Sequence, residues 1–545
     1  MTSIIQLVTI WFCMLNVSRA SDFKDTLVRA EKAVDESLAA IFARWEIDKY
    51  PSFLKSGSMQ RHSWDFLKLK YKDKILAAQS TGKTQNFTIC FTGSSVTAGH
   101  DSPFNKSFAP LTGMIMSPVL KALNVHVDLR PVALGNNPCF PYDVCVRTFC
   151  GDDVDLIHWE QSYFCGFNHD HNPTLEMFIR QSMVMKSNPV VIFADSATDN
   201  WESKDCPKPV VPYVVTSEEK DMLRASTVTI ATEINKGEYH IPGELSKAYK
   251  AAGLQYWYHA HYHRQYKCQG PYHKDWGVGT VSWHPSISGH QLRADHHSYF
   301  WMSAWRDSIA DVLRLTSASP SPSVTALLAD NTKHIQSIIT LHPMPPTPVH
   351  KTAVTDNIQC FTDYEPRWNR AASIRNMIVA GLAKDKDSPG WKAIILEMLL
   401  GDENYKHIDI RHKKAGYVDY KHMYTADYDA GPLSLKITVQ KEGVIYICEP
   451  TGFFGQTAGG AEHIWKLNPG LYLTSQTPDL SSSSFVFDQS KATIVPYQHT
   501  TATGGGGGET CVQTTAPVAA GSYIITIVPT HEKGKKMMLA TILIP

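Results

Sequence analysis

Between Asp22 and Trp45 the apolar residues Leu27, Ala30, Val34, Leu38 and Ile41 fall at spacings of 3, 4, 4 and 3, which lays one stripe along a helix. Beyond residue 85 short apolar runs take turns with longer periodic ones. Phe87–Phe91, Val125–Ala133, Val154–His158, Val190–Ala194 and Leu254–Tyr258 read as strands. Phe108–Leu123, Leu175–Met185, Glu218–Ile234, Glu244–Ala252 and the long amphipathic Gly289–Leu313 read as helices. Strand and helix in alternation predict an α/β domain, a parallel sheet with helices on both faces.

After residue 315 the punctuation changes. Pro320, Pro322, Pro343, Pro345, Pro346 and Pro348 mark a turn-rich stretch, with one more helix expected over Val324–Leu341. Arg367–Leu400 still reads as helical. From about Gly416 the pattern turns to alternating, β-branched runs (Leu433–Thr438, Gly443–Cys448, Phe485–Asp488, Ala492–Pro496 and Tyr523–Pro529) separated by Gly, Asn and Ser. Those runs predict an antiparallel sandwich or jelly roll. Gly504–Gly508 reads as a hairpin tip, and no internal repeat is evident.

The N-terminus carries the apolar stretch Ile4–Leu15 followed by Ser18-Arg19-Ala20, the form of a secretory signal cleaved after Ala20. The alternative is an N-terminal anchor, for which the stretch is short against the ~20 residues of a span. The expected organisation is therefore a signal over 1–20, a helical segment over 21–85, an α/β domain over 86–315, a linker over 316–350 and an accessory domain over 351–545 with a helical start and a β-sandwich.

Composition narrows the function classes. The 545 residues include 52 Lys plus Arg and 52 Asp plus Glu, a net formal charge of zero that supplies no global field for nucleic acid or an anionic membrane. Ten cysteines remain after Cys13 leaves with the signal, an even number that favours disulfides in a secreted chain. Cys139, Cys145, Cys150 and Cys165 lack the paired spacing of a zinc site, and Cys448 with Cys511 is the expected C-terminal pair. Asn86-Phe87-Thr88 and Asn105-Lys106-Ser107 are glycosylation sequons.

The candidate chemistry begins at Gly93-Ser94-Ser95-Val96-Thr97-Ala98-Gly99, directly after the Phe87–Phe91 strand. Ligands of open α/β sheets sit beyond the carboxyl ends of strands, so a Gly- and Ser-rich turn there is well placed for a nucleophile. The plain alternative is a turn capping a helix. The segment resembles the GDSxTxG nucleophile block of SGNH (GDSL-like) hydrolases, with Ser94 in place of the Asp. Arg130–Asn137 resembles the family's glycine block, and Trp283-His284-Pro285-Ser286-Ile287-Ser288-Gly289-His290 resembles its DxxHPxxxGH segment.

The resemblance spans about residues 86–313 and implies a three-layer, flavodoxin-like parallel-sheet fold. It also implies Ser95 as nucleophile, His284 as general base, and the amides of Ser95 and Gly135 as oxyanion donors, with no cofactor and no metal. Two further positions depart from the pattern. After Asp155–Glu160 no Asn stands where the family has one, leaving Gln161 or Asn136 as substitute donors. Val281 stands where the family has the orienting Asp, leaving a backbone carbonyl near Ser282, Asp275 or Asp295 for that task.

These readings give a secreted serine esterase acting on carboxylic esters, with an O-acetylated polysaccharide as the expected partner. A weakened, glycan-binding or cell-surface protein on the same fold and an acyltransferase using the same serine are the alternatives. His259, His261 and His263, and His169-Asp170-His171, allow a zinc hydrolase, although polar surface in a chain with 24 histidines explains them more simply. Trp201, Trp257, Trp276 and Trp283, and more weakly Trp465 and Tyr472, can stack on sugar rings or fill a core.

Overall fold

The computed structural model describes residues 2–45, 57–59, 61–99, 104–135, 139–161, 173–195, 256–260, 287–318, 322–340, 358–365, 367–385, 388–396, 420–450, 469–475, 485–499, 509–530 and 536–545. The predicted helices Glu218–Ile234 and Glu244–Ala252 and the Gly504–Gly508 run lie outside these residues.

The first sheet contains β1 (Gly57–Met59), β2 (Gln85–Gly93), β3 (Val125–Pro131), β4 (Leu156–Glu160), β5 (Val190–Asp195) and β6 (Tyr256–Ala260), in the order β1-β6-β5-β4-β2-β3. From β3 to β6 neighbouring strands are parallel, and β1 closes the β6 edge antiparallel. Side chains alternate as a twice-covered sheet requires. Phe87, Ile89, Phe91, Leu156, Val190 and Ile192 enter one core, while Cys90, Ile157, Trp159, Val191 and Phe193 enter the other.

The first core is covered by α1 (Thr2–Arg44), α2 (Arg61–Thr81), α4 (Phe108–Ala122), α7 (Ile287–Thr316) and α8 (Val324–Thr340); a four-residue turn, α3 (Ser95–Ala98), follows β2. Helix α1 runs unbroken from Thr2, through the apolar stretch, into the predicted Asp22–Trp45 helix. No described helix is long and apolar enough to cross a membrane. Helix α2, within the segment read as helical over 21–85, buries Trp64, Leu67, Tyr71 and Ile75. The Tyr71 ring stacks on Trp305 of α7 at 4.1 Å. Most of α7 up to Ile309 is buried, and two of its charges pair with α1: Asp295 with Arg44 and Arg306 with Asp35.

The second core is covered by α5 (Val146–Cys150), α6 (Pro173–Met183) and the C-terminal β-rich domain. That domain is a sandwich of two antiparallel sheets. The larger has the order β15-β16-β12-β19-β7-β10-β18 with β9 beside β10, and the smaller β14-β13-β17-β11-β8. The strands are β7 (Gln359–Glu365), β8 (Ile378–Ala380), β9 (Lys392–Leu396), β10 (Tyr420–Asp427), β11 (Leu433–Val439), β12 (Tyr446–Pro450), β13 (Gly470–Thr474), β14 (Thr493–Ile494), β15 (Tyr497–His499), β16 (Glu509–Thr514), β17 (Gly521–Val528), β18 (Lys536–Leu539) and β19 (Thr541–Ile544). Leu435, Ile437, Ile447, Ile525, Ile542 and Ile544 fill the space between the sheets.

Two expectations for this half change. Arg367–Leu400 holds no helix among its described residues; a short 3₁₀ turn at Ile374–Asn376 is followed by β8 and β9. Ile378 pairs with Leu435 and Ile394 with Met423, so long-range pairing overrides a locally helical spacing. The larger sheet is also buried on both faces, because Cys360, Tyr364, Tyr446, Cys448 and Leu543 enter the second core of the α/β domain. Disulfides join Cys90 to Cys150, Cys145 to Cys360 and, as expected, Cys448 to Cys511.

Candidate active site

The parallel strand order reverses at β2. The chain leaves β2 for β3 on one side and returns to β4 on the other. Such a switch point opens a crevice beyond the carboxyl ends of the two strands, the usual ligand position in open α/β sheets. The register sets Gly93, the last residue of β2, level with Glu160, the last of β4.

Ser94 follows Gly93 in extended conformation, and its hydroxyl accepts a hydrogen bond from Val96 N–H at 3.3 Å, so Ser94 caps the turn that Ser95 begins. Ala98 N–H donates to Ser94 O at 3.0 Å, and Gly99 ends the turn at φ 78°. Ser95 is half-buried at the first position of α3. The glycines on either side are required by the space available. Gly93 has φ 151°, and a Cβ there would strike the Thr97 side chain and come within 3.0 Å of Glu160 O. A Cβ on Gly99 would strike Ser107.

The segment after β3 continues along β2. Val132 N–H donates to Phe91 O at 3.0 Å and Leu134 N–H to Gly93 O at 3.2 Å. The second bond draws Gly135, buried, alongside the serine turn. The Ser95 turn and Gly135, 40 residues apart, are thus adjacent through backbone pairing. Asn136 and His284 lie outside the described residues, as do Val281, Ser282 and Asp275. Helix α7 begins three residues after His284, and two residues from its early turns reach the site: the His290 ring lies 5.9 Å from Phe108, and the Arg293 guanidinium 5.7 Å from the same ring.

The acidic residue of the site is Glu160. Its Oε2 accepts hydrogen bonds from Ser94 Oγ at 2.8 Å and Thr97 Oγ1 at 3.0 Å, and Ser94 N–H donates to Glu160 O at 3.1 Å. Burial pushes this carboxyl above the ordinary range, while Arg293 and the two hydroxyls pull it back. Sequence reasoning took Glu160 only as the end of a strand. The signal it passed over is a carboxylate closing an otherwise apolar run, beside a serine turn in which Ser94 stands where the family has its Asp.

Behind the turn lie two buried histidines. The rings of His158, on β4, and His297, on α7, are 4.9 Å apart and pack against Phe91 and Phe108. Burial lowers His158 to about 3 and holds His297 well below the ordinary imidazole value.

The substitute roles resolve unevenly. Asp295 binds Arg44 and accepts from Trp45 Nε1 at 2.8 Å and Gln291 Nε2 at 3.1 Å. Gln161 is buried next to Glu160. Tyr472 accepts from Gln489 Nε2 at 2.9 Å and lies against Phe487 in the sandwich. His259 and Trp257 belong to β6, whereas His169-Asp170-His171, His261, His263, Trp201, Trp276, Trp283 and Trp465 lie outside the described residues. Among the described residues no group of three or more His, Cys, Asp or Glu is placed to hold a metal ion.

No protein-family model matches the chain, and no curated protein matches it. Among solved structures, it is similar to a two-domain esterase (CEX) active on acetylated mannans, co-crystallised with mannopentaose, at 11% identity and a TM-score of 0.34, over 90% of this chain and 96% of that one. A second structure of that esterase matches at 11% identity and a TM-score of 0.33, over 87% and 95%. Similarity at this level transfers no residue role to the present chain.

Proposed function

We propose that the protein is a secreted serine esterase that cleaves carboxylic esters, with O-acetyl groups on a polysaccharide as the substrate class. One observation carries this reading: the Ser95 turn stands at the switch point of the parallel sheet, and the Leu134 to Gly93 backbone bond draws Gly135 beside it. Ser95 Oγ attacks the acyl carbonyl while His284 takes its proton. The amides of Ser95 and Gly135 hold the oxyanion of the tetrahedral intermediate. Collapse breaks the bond to the alcohol, which leaves with the proton from His284. Water, deprotonated by the same imidazole, then attacks the acyl-serine and releases the acid.

The arrival of His290 and Arg293 at the Phe108 side of the turn supports the part given to His284, three residues upstream of the same helix. The test is p-nitrophenyl acetate turnover by the wild type and Ser95→Ala. Abolished turnover in the variant is expected, and equal rates reject the catalytic assignment. The occupation of Asp295 by Arg44 and Trp45 favours a second reading, a glycan-binding protein with an idle site. That reading expects glycan binding without fluorophosphonate labelling, and rapid labelling at Ser95 excludes it.

A further inference from the structure

We propose that Glu160 is a positioning residue for the candidate nucleophile: its carboxyl, set level with Gly93 by the pairing of β2 with β4, clamps the hydroxyls on both sides of Ser95 and thereby fixes where the Ser95 hydroxyl stands. The proposal rests on the esterase reading and adds to it a residue that the family resemblance does not supply.

A four-residue turn has no stability of its own, since helix nucleation is unfavourable and nothing follows to repay it. It must be held from outside. Upstream, Ser94 is tied to Glu160 twice, through its N–H to the main-chain oxygen and through its hydroxyl to Oε2. Downstream, Thr97 is tied to the same Oε2. Ser95 lies between these anchors, so its main chain is fixed at both ends by one oxygen atom. Ser94, Thr97 and Glu160 are each at most 3% exposed, and water does not compete for these bonds. The charge of Arg293, on the helix that His284 precedes, also acts on this carboxyl. One acid therefore bears on the serine turn and on the helix beyond the candidate base.

The test uses the full chain as wild type, Glu160→Ala, Glu160→Gln and Ser95→Ala. It measures kcat and KM for p-nitrophenyl acetate, the rate of fluorophosphonate adduct formation by intact mass, and thermal melting. Glu160→Ala is expected to lower kcat and the labelling rate together by about 100-fold, the cost of misplacing a reacting group by about 1 Å, with KM little changed. Glu160→Gln keeps an oxygen that accepts from both hydroxyls, and is expected to recover both rates to within about tenfold of the wild type. A folded Glu160→Ala that labels at the wild-type rate, while Ser95→Ala does not label, overturns the positioning role and leaves the esterase reading intact. Full turnover by Ser95→Ala overturns the serine mechanism of that reading instead. Should Glu160→Ala fail to fold, Thr97→Val removes one of the two clamps at constant volume. Labelling slowed about tenfold then supports the clamp, and an unchanged rate rejects it.

Discussion

His158 shows how far a single side chain can depart from its reading in the sequence. At the end of an apolar run it passes for the polar terminus of a strand, yet it is wholly buried, between Phe91, Phe108 and His297, with Arg293 adding unfavourable charge from α7. Burial is the main cause that lowers its pKa to about 3, and His297 is lowered for the same reason. The unfolded chain binds a proton at His158 near pH 6.5 and the folded chain resists it, so this residue takes stability from the fold as pH falls from about 6.5 toward 3. His158 costs roughly 1.4 kcal/mol per pH unit in that window, and nothing above it. Phenylalanine at 158 keeps an uncharged ring among rings. Denaturant unfolding at pH 7, 6, 5 and 4 should therefore show His158→Phe losing stability less steeply than the wild type below pH 6.5. Parallel curves would mean that His158 is protonated in the fold without cost.

At the scale of elements, period and burial explain what the sequence discloses. Phe87, Ile89 and Phe91 face one core and Cys90 the other, so β2 reads as an unbroken apolar run, the mark of a twice-covered strand. The stripe on α1 was legible because Leu27, Ala30, Val34, Leu38 and Ile41 all enter the first core. The packing of α1 against α7 was not, because it is completed by polar groups far apart in sequence: Arg44 and Trp45 on Asp295, and Arg306 on Asp35. Strands β8 and β9 were misread for the opposite reason. Their local spacing fits a helix, and only partners more than 25 residues away, Leu435 and Met423, make them strands. In the site, the serine turn and Gly135 were legible as motifs, whereas Glu160 acquires meaning only from the register that sets it beside Gly93. The α1–α7 contact gives a prediction of its own. Asp295→Ala leaves the Arg44 guanidinium buried without its partner and should destabilise the fold by about 3–5 kcal/mol in chemical denaturation. The rate per folded molecule on p-nitrophenyl acetate should stay near that of the wild type, since Asp295 faces α1. A lost rate without lost stability would return Asp295 to the role of orienting His284.

For the whole molecule, the question is whether the sandwich is an appendage or a layer. An appendage on a linker would touch the α/β domain through a small, polar surface, and either part would fold alone. Here the larger β-sheet buries its outer face in the second core of the α/β domain, with Tyr446 5.6 Å from Phe140. The seam also carries main-chain bonds: Trp368 N–H donates to Phe149 O at 2.8 Å, Asn369 N–H to Thr148 O at 3.0 Å, and Thr148 Oγ1 to Cys360 O at 2.8 Å. The Arg130 guanidinium lies 3.9 Å over the Trp368 ring. Through this seam runs Cys145–Cys360, closing a loop of 215 residues. A crosslink over a loop that long restricts the unfolded chain strongly, by about 5 kcal/mol in the chain-entropy treatment and 2–5 kcal/mol in typical removals. The double variant Cys145→Ala, Cys360→Ala should accordingly lose about 2–5 kcal/mol while still unfolding in one transition, because the shared core couples the two parts without the bond. Calorimetry distinguishes the cases. Two separated transitions in the variant would show that the disulfide alone joined independent domains, and that the buried face of the larger sheet contributes little to holding them together.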